Sequence, residues 1–274
     1  MTSNEVLDRL TRDGFALVPE VLSEEFLRHA RDVTNRLALA YSQEDRKTWR
    51  SLGTLIDVFR DSFFAELMTF EPALAVLRSI GEFPRLSGGY VFSKAPADPR
   101  AFWHQDWGFW DDPVSDGEFP PQVGLLYYLT DTTRVNGCLR VLPGSHRNRH
   151  EIHDELMRLD KRALRRMDDP SVLPFCDLDG EVDVPVRAGD LVVLDARTLH
   201  AAHANSSRER RTLVTLWYHP DETILSEPTR AYLGTVAPPG DWPREVCERV
   251  SPILLRYSGN SPRATPTERG PRAR

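Results

Sequence analysis

The chain has 274 residues, of which 40% are hydrophobic and 28% charged, and its formal net charge is −6 at pH 7. This length and apolar content allow one sizeable core, and β-barrels of this length commonly form a single domain. No apolar run approaches the roughly 20 residues that cross a bilayer, and the first residues lack a secretion-signal pattern, so we expect a cytoplasmic protein with no membrane partner.

Amphipathic helices are predicted in the first third of the chain. Ser23 suits a helix N-cap, and Glu24 and Glu25 follow in the first turn, where negative charge is favourable. Apolar residues then recur every three or four positions, at Phe26, Ala30, Val33, Leu37 and Ala40. Further helices are predicted over 63–68 and from Pro72 onward. We expect these helices to pack against the outside of one sheet.

Strand-like runs rich in Val, Leu and Tyr follow the helices and predict a mainly β core. The runs cover residues 89–93, 122–130, 138–142, 182–186, 191–194 and 212–218. The pair Asn136-Gly137 is a strong two-residue turn signal, and it predicts a hairpin between the second and third runs.

The predicted organisation is a single domain over residues 1–257. It comprises N-terminal helices (1–85), a β core (86–220) and a C-terminal segment (221–257). Residues 258–274 are rich in Pro, Arg and Ser, and we expect them to be disordered.

A charged stretch lies between His146 and Pro174, and its basic residues alternate with Asp160, Asp168 and Asp169. A basic cluster can bind nucleic acid, but this alternation and the net charge of −6 favour a solvated face or an active-site flap. We therefore expect no nucleic-acid partner.

Two potential metal ligands, His104 and Asp106, are separated by one residue. Residues two apart on a strand point to the same face, so the imidazole and the carboxylate would converge. The pair alone also fits a packed or hydrogen-bonded histidine. His200, which follows the apolar run 191–194, is the candidate third ligand. Two histidines and one carboxylate would form a facial set that leaves three positions of an octahedral Fe(II) open.

Arg211 introduces the last strand-like run. An always-charged guanidinium that enters an apolar strand needs a carboxylate partner, because an unpaired buried cation is costly. Two readings stay open at this point. The partner is either an acidic residue of the chain, in a structural salt bridge, or the carboxylate of an acidic cosubstrate held bidentately.

The ordered set His104, Asp106, His200 and Arg211 resembles the phytanoyl-CoA dioxygenase family of Fe(II)- and 2-oxoglutarate-dependent oxygenases. Between its halves, residues 136–146 read Asn-Gly-x-Leu-x-x-x-Pro-Gly-Ser-His, and this stretch and the His-to-Arg interval carry the resemblance most specifically. The similarity spans roughly residues 10 to 220 and extends to ectoine hydroxylase and orthosomycin-type oxygenases.

The resemblance implies a double-stranded β-helix, or jelly roll, with flanking helices. It also implies that His104, Asp106 and His200 hold the iron, and that 2-oxoglutarate and O2 are cosubstrates. The far carboxylate of 2-oxoglutarate would pair with Arg211. His203 could also be the third ligand, but the family interval of eleven residues to the arginine favours His200.

The resemblance further implies that Lys94, Tyr90 and Leu126 contribute to the cosubstrate pocket, although surface exposure of Lys94 and core packing of the other two are equally open. Ala202 departs from the family, in which many members carry a serine two residues after the distal histidine. One cosubstrate hydrogen bond is therefore in doubt. Because family halogenases lack a carboxylate at the Asp106 position, halogenation is disfavoured.

The segment after Asp106 offers the best indication of the substrate. If the strand continues, Trp110 also faces the metal, beside an acidic rim that includes Asp111. We assign Trp110, Asp111 and His146 to the substrate side. Aromatic and acidic groups suit a polyhydroxylated or cationic ligand, such as a sugar or an aminoglycoside-like specialised metabolite.

The sequence thus predicts an oxygenase that hydroxylates or oxidatively cyclises an unactivated C–H of a small molecule. The alternative is a non-catalytic jelly-roll protein that binds a metal or a sugar. A zinc hydrolase fits less well, because Arg211 would have no role. The oligomeric state is left open.

Overall fold

The computed structural model describes residues 2–267 and 270–271. Its strands are β1 Phe15–Val18, β2 Thr54–Asp57, β3 Arg85–Lys94, β4 Ala101–His104, β5 Val123–Tyr128, β6 Leu139–Val141, β7 Val182–Val184, β8 Leu191–Asp195, β9 His200–Ala202 and β10 Arg211–His219. Its helices are α1 Ser3–Asp13, α2 Glu24–Leu39, α3 Gln43–Thr48, α4 Ala65–Met68, α5 Glu71–Arg78, α6 Glu151–Arg158, α7 Lys161–Arg166, α8 Glu227–Leu233 and α9 Arg244–Val250.

The strands form two antiparallel sheets. The large sheet has the order β1-β8-β5-β10-β3-β2 and the small sheet the order β4-β9-β6-β7. Apolar side chains from the two sheets, including Leu126 and Leu213 of the large one and Leu139 and Val141 of the small one, pack into one cluster between them. The structure confirms the predicted mainly β jelly roll with flanking helices.

The side chains of β10 alternate between the two faces of the large sheet. Val214 and Leu216 belong to the main core, which includes Leu10 of α1, Leu27 of α2 and other residues of the N-terminal helices. The helices therefore cover the outer face of the large sheet, as predicted. Because strand side chains have a period of two, Arg211, Leu213, Thr215 and Trp217 share the inner face.

The predicted helices are present with the expected caps. The Ser23 hydroxyl accepts a hydrogen bond from the Phe26 N–H (3.2 Å) at the start of α2, and Pro72 lies in the first turn of α5. Helix α1 was not predicted. Its signals are the capping box of Thr2 with Glu5 and the buried Val6 and Leu10. No helix in the described part of the chain combines the length and apolarity needed to cross a membrane.

The predicted hairpin at Asn136-Gly137 is wrong. Strand β5 lies in the large sheet and β6 in the small one, so the chain crosses between sheets at this point. Asn136 Oδ1 accepts from the Thr133 N–H (2.7 Å), and Gly137 adopts φ 94°, a left-handed conformation that favours glycine. The turn residues were correctly identified, but a local turn signal does not determine which sheet the next strand joins.

Part of the C-terminal tail makes contacts with the domain. The Thr267 N–H donates to the Gly108 carbonyl (2.6 Å), and the Ala264 N–H donates to the Pro228 carbonyl (2.9 Å). Residues 268–269 and 272–274 lie outside the described ranges, so the predicted disorder stays a prediction there.

A buried ion pair fixes the connection between β8 and β9. Arg197 and Asp195 are each 1% exposed, and Arg197 Nη2 lies 2.7 Å from Asp195 Oδ2. Arg197 Nη1 also donates to the carbonyls of Ser115 (2.9 Å) and Gly117 (2.8 Å). The pair therefore joins the loop before β5 to the segment that leads to His200.

We expect Asp195→Asn to destabilise the protein by about 3–5 kcal/mol, because it leaves a buried guanidinium without its counter-charge. Urea unfolding followed by circular dichroism measures this change. Asp8→Asn, at an exposed position of α1, is the matched control and should stay within about 0.5 kcal/mol of the wild type. Equal stabilities of the two variants would contradict a structural role for the ion pair.

Candidate active site

Three potential metal ligands converge at one end of the small sheet. The donor atoms of His104, Asp106 and His200 all lie within 4.8 Å of one another. The Nε2 atom of His104 lies 3.8 Å from Asp106 Oδ1, and that of His200 lies 3.6 Å from Asp106 Oδ2. The structure thus brings together the two histidines and the carboxylate that the sequence indicated.

Strand pairing and local hydrogen bonds orient the two imidazoles. His104 and His200 are directly opposite each other in the β4–β9 pair, and their ring centroids are 4.2 Å apart. The Nδ1 atom of His104 lies 2.9 Å from the Phe102 carbonyl, and that of His200 lies 3.0 Å from the Thr198 carbonyl. A carbonyl requires Nδ1 to carry the proton, so each Nε2 presents a lone pair toward the carboxylate.

Electrostatics favour the neutral form of His104 that a metal requires. Burial, and next the proximity of His200, lower the pKa of His104 well below its ordinary value. A neutral imidazole can donate a lone pair at physiological pH. Together with the carboxylate, the donor set fits the two-histidine, one-carboxylate arrangement of non-haem Fe(II).

Asp106 is held by contacts beyond strand β4. The N–H groups of Asp106 and Trp107 both donate to the Ala196 carbonyl, at 2.9 and 2.8 Å. The indole Nε1 of Trp217 donates to Asp106 Oδ2 (2.8 Å). This hydrogen bond fixes the orientation of the carboxylate toward the two imidazoles.

A second cluster of potential ligands, Cys138, Asp183 and His203, is also present in the described part of the chain. None of these three residues lines the cavity that His104 and His200 line. His203 Nε2 lies 2.5 Å from Asp183 Oδ1, and Arg134 donates to Asp183 Oδ2 (3.3 Å). His203 is therefore hydrogen-bonded to Asp183 and does not line the cavity of the His104 site.

The metal ligands line a cavity between the two sheets. Arg211, 3% exposed, lines the same cavity. Its Nε and Nη2 atoms donate to the Gly137 carbonyl, the Nε bond at 2.9 Å. Among residues 2–267 and 270–271, no carboxylate lies within ion-pair distance of Arg211. The structure therefore does not support the interpretation that Arg211 forms a structural salt bridge.

Two further groups beside Arg211 suit a bound anion. Tyr128 Oη is buried without a hydrogen-bond partner among the described residues, and Tyr128 lines the cavity. Lys94 is 2% exposed and also lines it. Its Nζ donates to the carbonyls of Ser51 (3.4 Å) and Pro99. A buried guanidinium, an amine and a hydroxyl without a hydrogen-bond partner together fit a dicarboxylate such as 2-oxoglutarate.

The other predicted cosubstrate residues occupy different places. Leu126 lines the metal cavity. Tyr90 instead lines a neighbouring groove that also includes Trp217, so its placement does not support a cosubstrate contact. Ala202 lines the cavity without a hydroxyl, but Thr215 on the facing strand lines it with one.

The residues predicted on the substrate side do not line the metal cavity. Strand β4 ends at His104, so the alternation that would have placed Trp110 beside the metal does not continue. Trp110 packs into a separate apolar cluster, and Asp111 accepts from the Thr267 hydroxyl (3.4 Å). His146 Nε2 faces the Thr11 carbonyl (3.2 Å), and His146 lines another cavity.

Sequence reasoning missed Tyr128, Thr215 and Trp217. Thr215 and Trp217 lie four and six residues after Arg211, so the strand period of two was a signal for both. Tyr128 lies two residues after Leu126 and shares its face for the same reason. Because Arg211 and Leu126 had already been assigned to the pocket, the strand period of two could have predicted all three residues.

Comparison with known proteins agrees with this geometry. The model of the phytanoyl-CoA dioxygenase (PhyH) family matches residues 10–213. Ectoine dioxygenase of Nocardia farcinica is 26% identical over 246 residues, which cover 83% of this chain and 81% of that protein. Phytanoyl-CoA dioxygenase 1 of Oryza sativa subsp. japonica is 34% identical over 131 residues, and the match spans only 41% of the rice protein.

The fold is also found in solved structures. The crystal structure of HygX from Streptomyces hygroscopicus with nickel and 2-oxoglutarate bound has a TM-score of 0.62 at 21% identity. The match covers 80% of this chain and 87% of HygX. At this identity the similarity concerns the fold.

We expect Trp217→Phe to weaken Fe(II) binding by about 10- to 100-fold, because it removes the hydrogen bond that orients Asp106 but keeps an aromatic ring in place. Anaerobic titration calorimetry measures the affinity. Trp49→Phe, at the C-terminal end of α3, is the matched control and should bind Fe(II) like the wild type. An unchanged affinity in Trp217→Phe would show that the indole does not position the ligand.

We also expect Lys94 to make stability depend on pH. Burial, and next Arg211, lower the pKa of Lys94 from 10.5 to about 7. Between pH 7 and pH 10.5 the unfolded chain binds a proton at Lys94 that the folded chain lacks. The free-energy cost of burying Lys94 is therefore largest below pH 7 and decreases as the pH rises. Lys94→Met should therefore be more stable than the wild type at pH 7, by a margin that shrinks toward pH 10.

Urea unfolding of both proteins at several pH values measures this margin. A constant difference in unfolding free energy across the range would contradict a depressed pKa of Lys94.

Proposed function

The chain belongs to the phytanoyl-CoA dioxygenase family of non-haem iron, 2-oxoglutarate-dependent oxygenases, and we propose that it oxidises an unactivated C–H bond of a small molecule. Hydroxylation and oxidative ring closure are the reactions proposed. The proposal rests on the presence of the potential metal ligands and a buried arginine in one cavity. The cavity holds two histidines and a carboxylate within 4.8 Å of one another, together with a buried Arg211 that has no carboxylate partner in the described residues.

The residues have separate roles in this proposal. His104, Asp106 and His200 would hold Fe(II) on one face and leave the opposite face to cosubstrate and O2. Bound iron, with 2-oxoglutarate and O2, supplies the oxidising chemistry. Arg211 would hold the far carboxylate of 2-oxoglutarate, and Tyr128 and Lys94 lie near enough in the cavity wall to assist it. Leu126, with other apolar side chains of the lining, would exclude water from this end.

The substrate is a small molecule in this proposal. The sugar or aminoglycoside-like class predicted from the sequence loses the support of Trp110 and Asp111, because neither lines the metal cavity. A cytoplasmic location is a further part of the proposal.

A non-catalytic jelly roll that binds a metal or a sugar is the alternative. No comparison supports it, and a metal-binding protein without redox chemistry would not need the buried cation Arg211. The two functions differ in one measurable product, since only the oxygenase forms succinate from 2-oxoglutarate in an O2-dependent way.

We expect anaerobic addition of Fe(II) and 2-oxoglutarate to give a visible charge-transfer band. His104→Ala and Asp106→Ala should abolish both the band and succinate formation, because each removes an iron ligand. Arg211→Met should still bind Fe(II), but its affinity for 2-oxoglutarate should fall by roughly a hundredfold, because it loses charge-assisted hydrogen bonds. The exposed His29→Ala serves as the control and should behave like the wild type.

Normal bands and succinate yields in both ligand variants would rule out the proposed iron site. A band without succinate for any substrate tested would favour the non-catalytic alternative.

A further inference from the structure

Trp217 is flanked by glycines on both neighbouring strands. In the large sheet it lies opposite Gly88 of β3 and Gly124 of β5. Absence of side chains at both positions gives the indole space on either side. The two sides of the indole differ in their contacts.

The indole lies over Gly124. A Cβ atom at Gly124 would be 3.6 Å from Trp217 Nε1, and this nitrogen donates to Asp106 Oδ2 (2.8 Å). On the other side, a Cβ atom at Gly88 would have no heavy atom within 4 Å. One side of Trp217 is therefore occupied by the contact with the metal ligand, and the other side is open.

The open side is a groove with a volume of about 280 Å³, close to the lower limit of roughly 300 Å³ for small-molecule sites. Its floor includes the backbone of Gly88, whose φ of 131° favours glycine. The register of β3 and β10 also shifts here, between Trp217 and Tyr218, a local bulge of the kind that often adjoins active sites. These features keep the floor free of side chains.

The lining of the groove combines aromatic and small side chains. The rings of Tyr90 and Trp217 meet edge to face, with centroids 5.9 Å apart, and Phe59 also lines the groove. Thr235, Val236 and Ala237 also line the groove. Aromatic walls and a bare backbone floor favour a flat ring system over a flexible chain.

Polar groups at the rim indicate ring substituents. Asp57 lines the groove, and its Oδ1 accepts from the Phe59 N–H (2.8 Å). Tyr90, whose ring carries a hydroxyl group, lines the same groove. A carboxylate oxygen and a phenol can both accept hydrogen bonds from ligand hydroxyl groups.

We propose that this groove binds the substrate, and that the substrate is a flat, fused-ring molecule carrying hydroxyl groups. The inference rests on the proposed oxygenase function, because Trp217 lines both the groove and the metal cavity. A ring against Trp217 would lie next to the side chain that contacts the ligand Asp106. The Trp110 segment, in contrast, does not line the cavity.

The test uses 2,6-dihydroxyanthraquinone as the probe, with the anaerobic protein loaded with Fe(II) and 2-oxoglutarate. Equilibrium dialysis measures its affinity for the wild type and for Ala237→Trp, which fills the groove from its exposed wall. We expect this variant to bind the probe at least about tenfold more weakly, because the added ring occupies the stacking space. Ala40→Trp places the same side chain at an exposed position at the end of α2, and it should bind the probe like the wild type.

Two more variants distinguish three possible causes of weaker probe binding: loss of stacking, loss of the fold and loss of a hydrogen bond. Thr235→Phe fills the same space from another residue and should also weaken binding. Asp57→Asn keeps the shape of the groove and should weaken binding less than either filling variant. The charge-transfer band of Fe(II) and 2-oxoglutarate should persist in all of them, which shows that the jelly roll and the metal site are intact.

The groove proposal is overturned if the loaded wild type does not bind the probe, or if the two filling variants bind it as tightly as the wild type does. It is equally overturned if 2-deoxystreptamine, a non-aromatic cationic ring, binds more tightly than the probe. Absence of the charge-transfer band in the wild type would instead count against the proposed oxygenase function.

Discussion

The antiparallel pairing of β4 with β9 is the constraint on which the site depends. It sets His104 directly opposite His200, and two carbonyl hydrogen bonds then turn both Nε2 atoms toward a common point. Asp106 reaches this point because the chain leaves the strand after His104 and is anchored on the Ala196 carbonyl. Since a one-residue slip of the pairing would place the two histidines on opposite faces of the sheet, the register of the small sheet determines whether a metal site exists at all.

The inner face of β10 connects the functional regions of the cavity. Arg211, Leu213, Thr215 and Trp217 succeed one another along it at the strand period of two. They supply, in order, a cation for an anionic cosubstrate, an apolar wall, a hydroxyl and an indole that contacts Asp106. Strand β10 thus contributes side chains to the cosubstrate end of the cavity, to the metal site and to the groove that Trp217 lines with Tyr90. Rigid strands position such groups better than loops do.

Much of the fold and of the site could be predicted from the sequence because both follow local periodicity. Strand positions are recognisable from residue type and spacing alone, whereas His200 and Arg211 gain specificity from the family resemblance. The pair His104 and Asp106 was identified correctly, but Asp106 lies beyond the end of β4, so its convergence with His104 does not come from strand alternation. The failures share a physical cause. Asn136-Gly137 marks a turn, but only long-range pairing decides that β6 joins the other sheet. The position of Trp110 was inferred by extending a strand that ends at His104.

The central claim is that one cavity holds iron on His104, Asp106 and His200 and 2-oxoglutarate on Arg211. A crystal structure of the protein grown anaerobically with Fe(II) and 2-oxoglutarate, with anomalous data at the iron edge, tests it most directly. We predict an iron peak between the two Nε2 atoms and the Asp106 carboxylate, with the far carboxylate of 2-oxoglutarate against the Arg211 guanidinium. Iron at Cys138, Asp183 and His203, or 2-oxoglutarate bound away from Arg211, would contradict the claim.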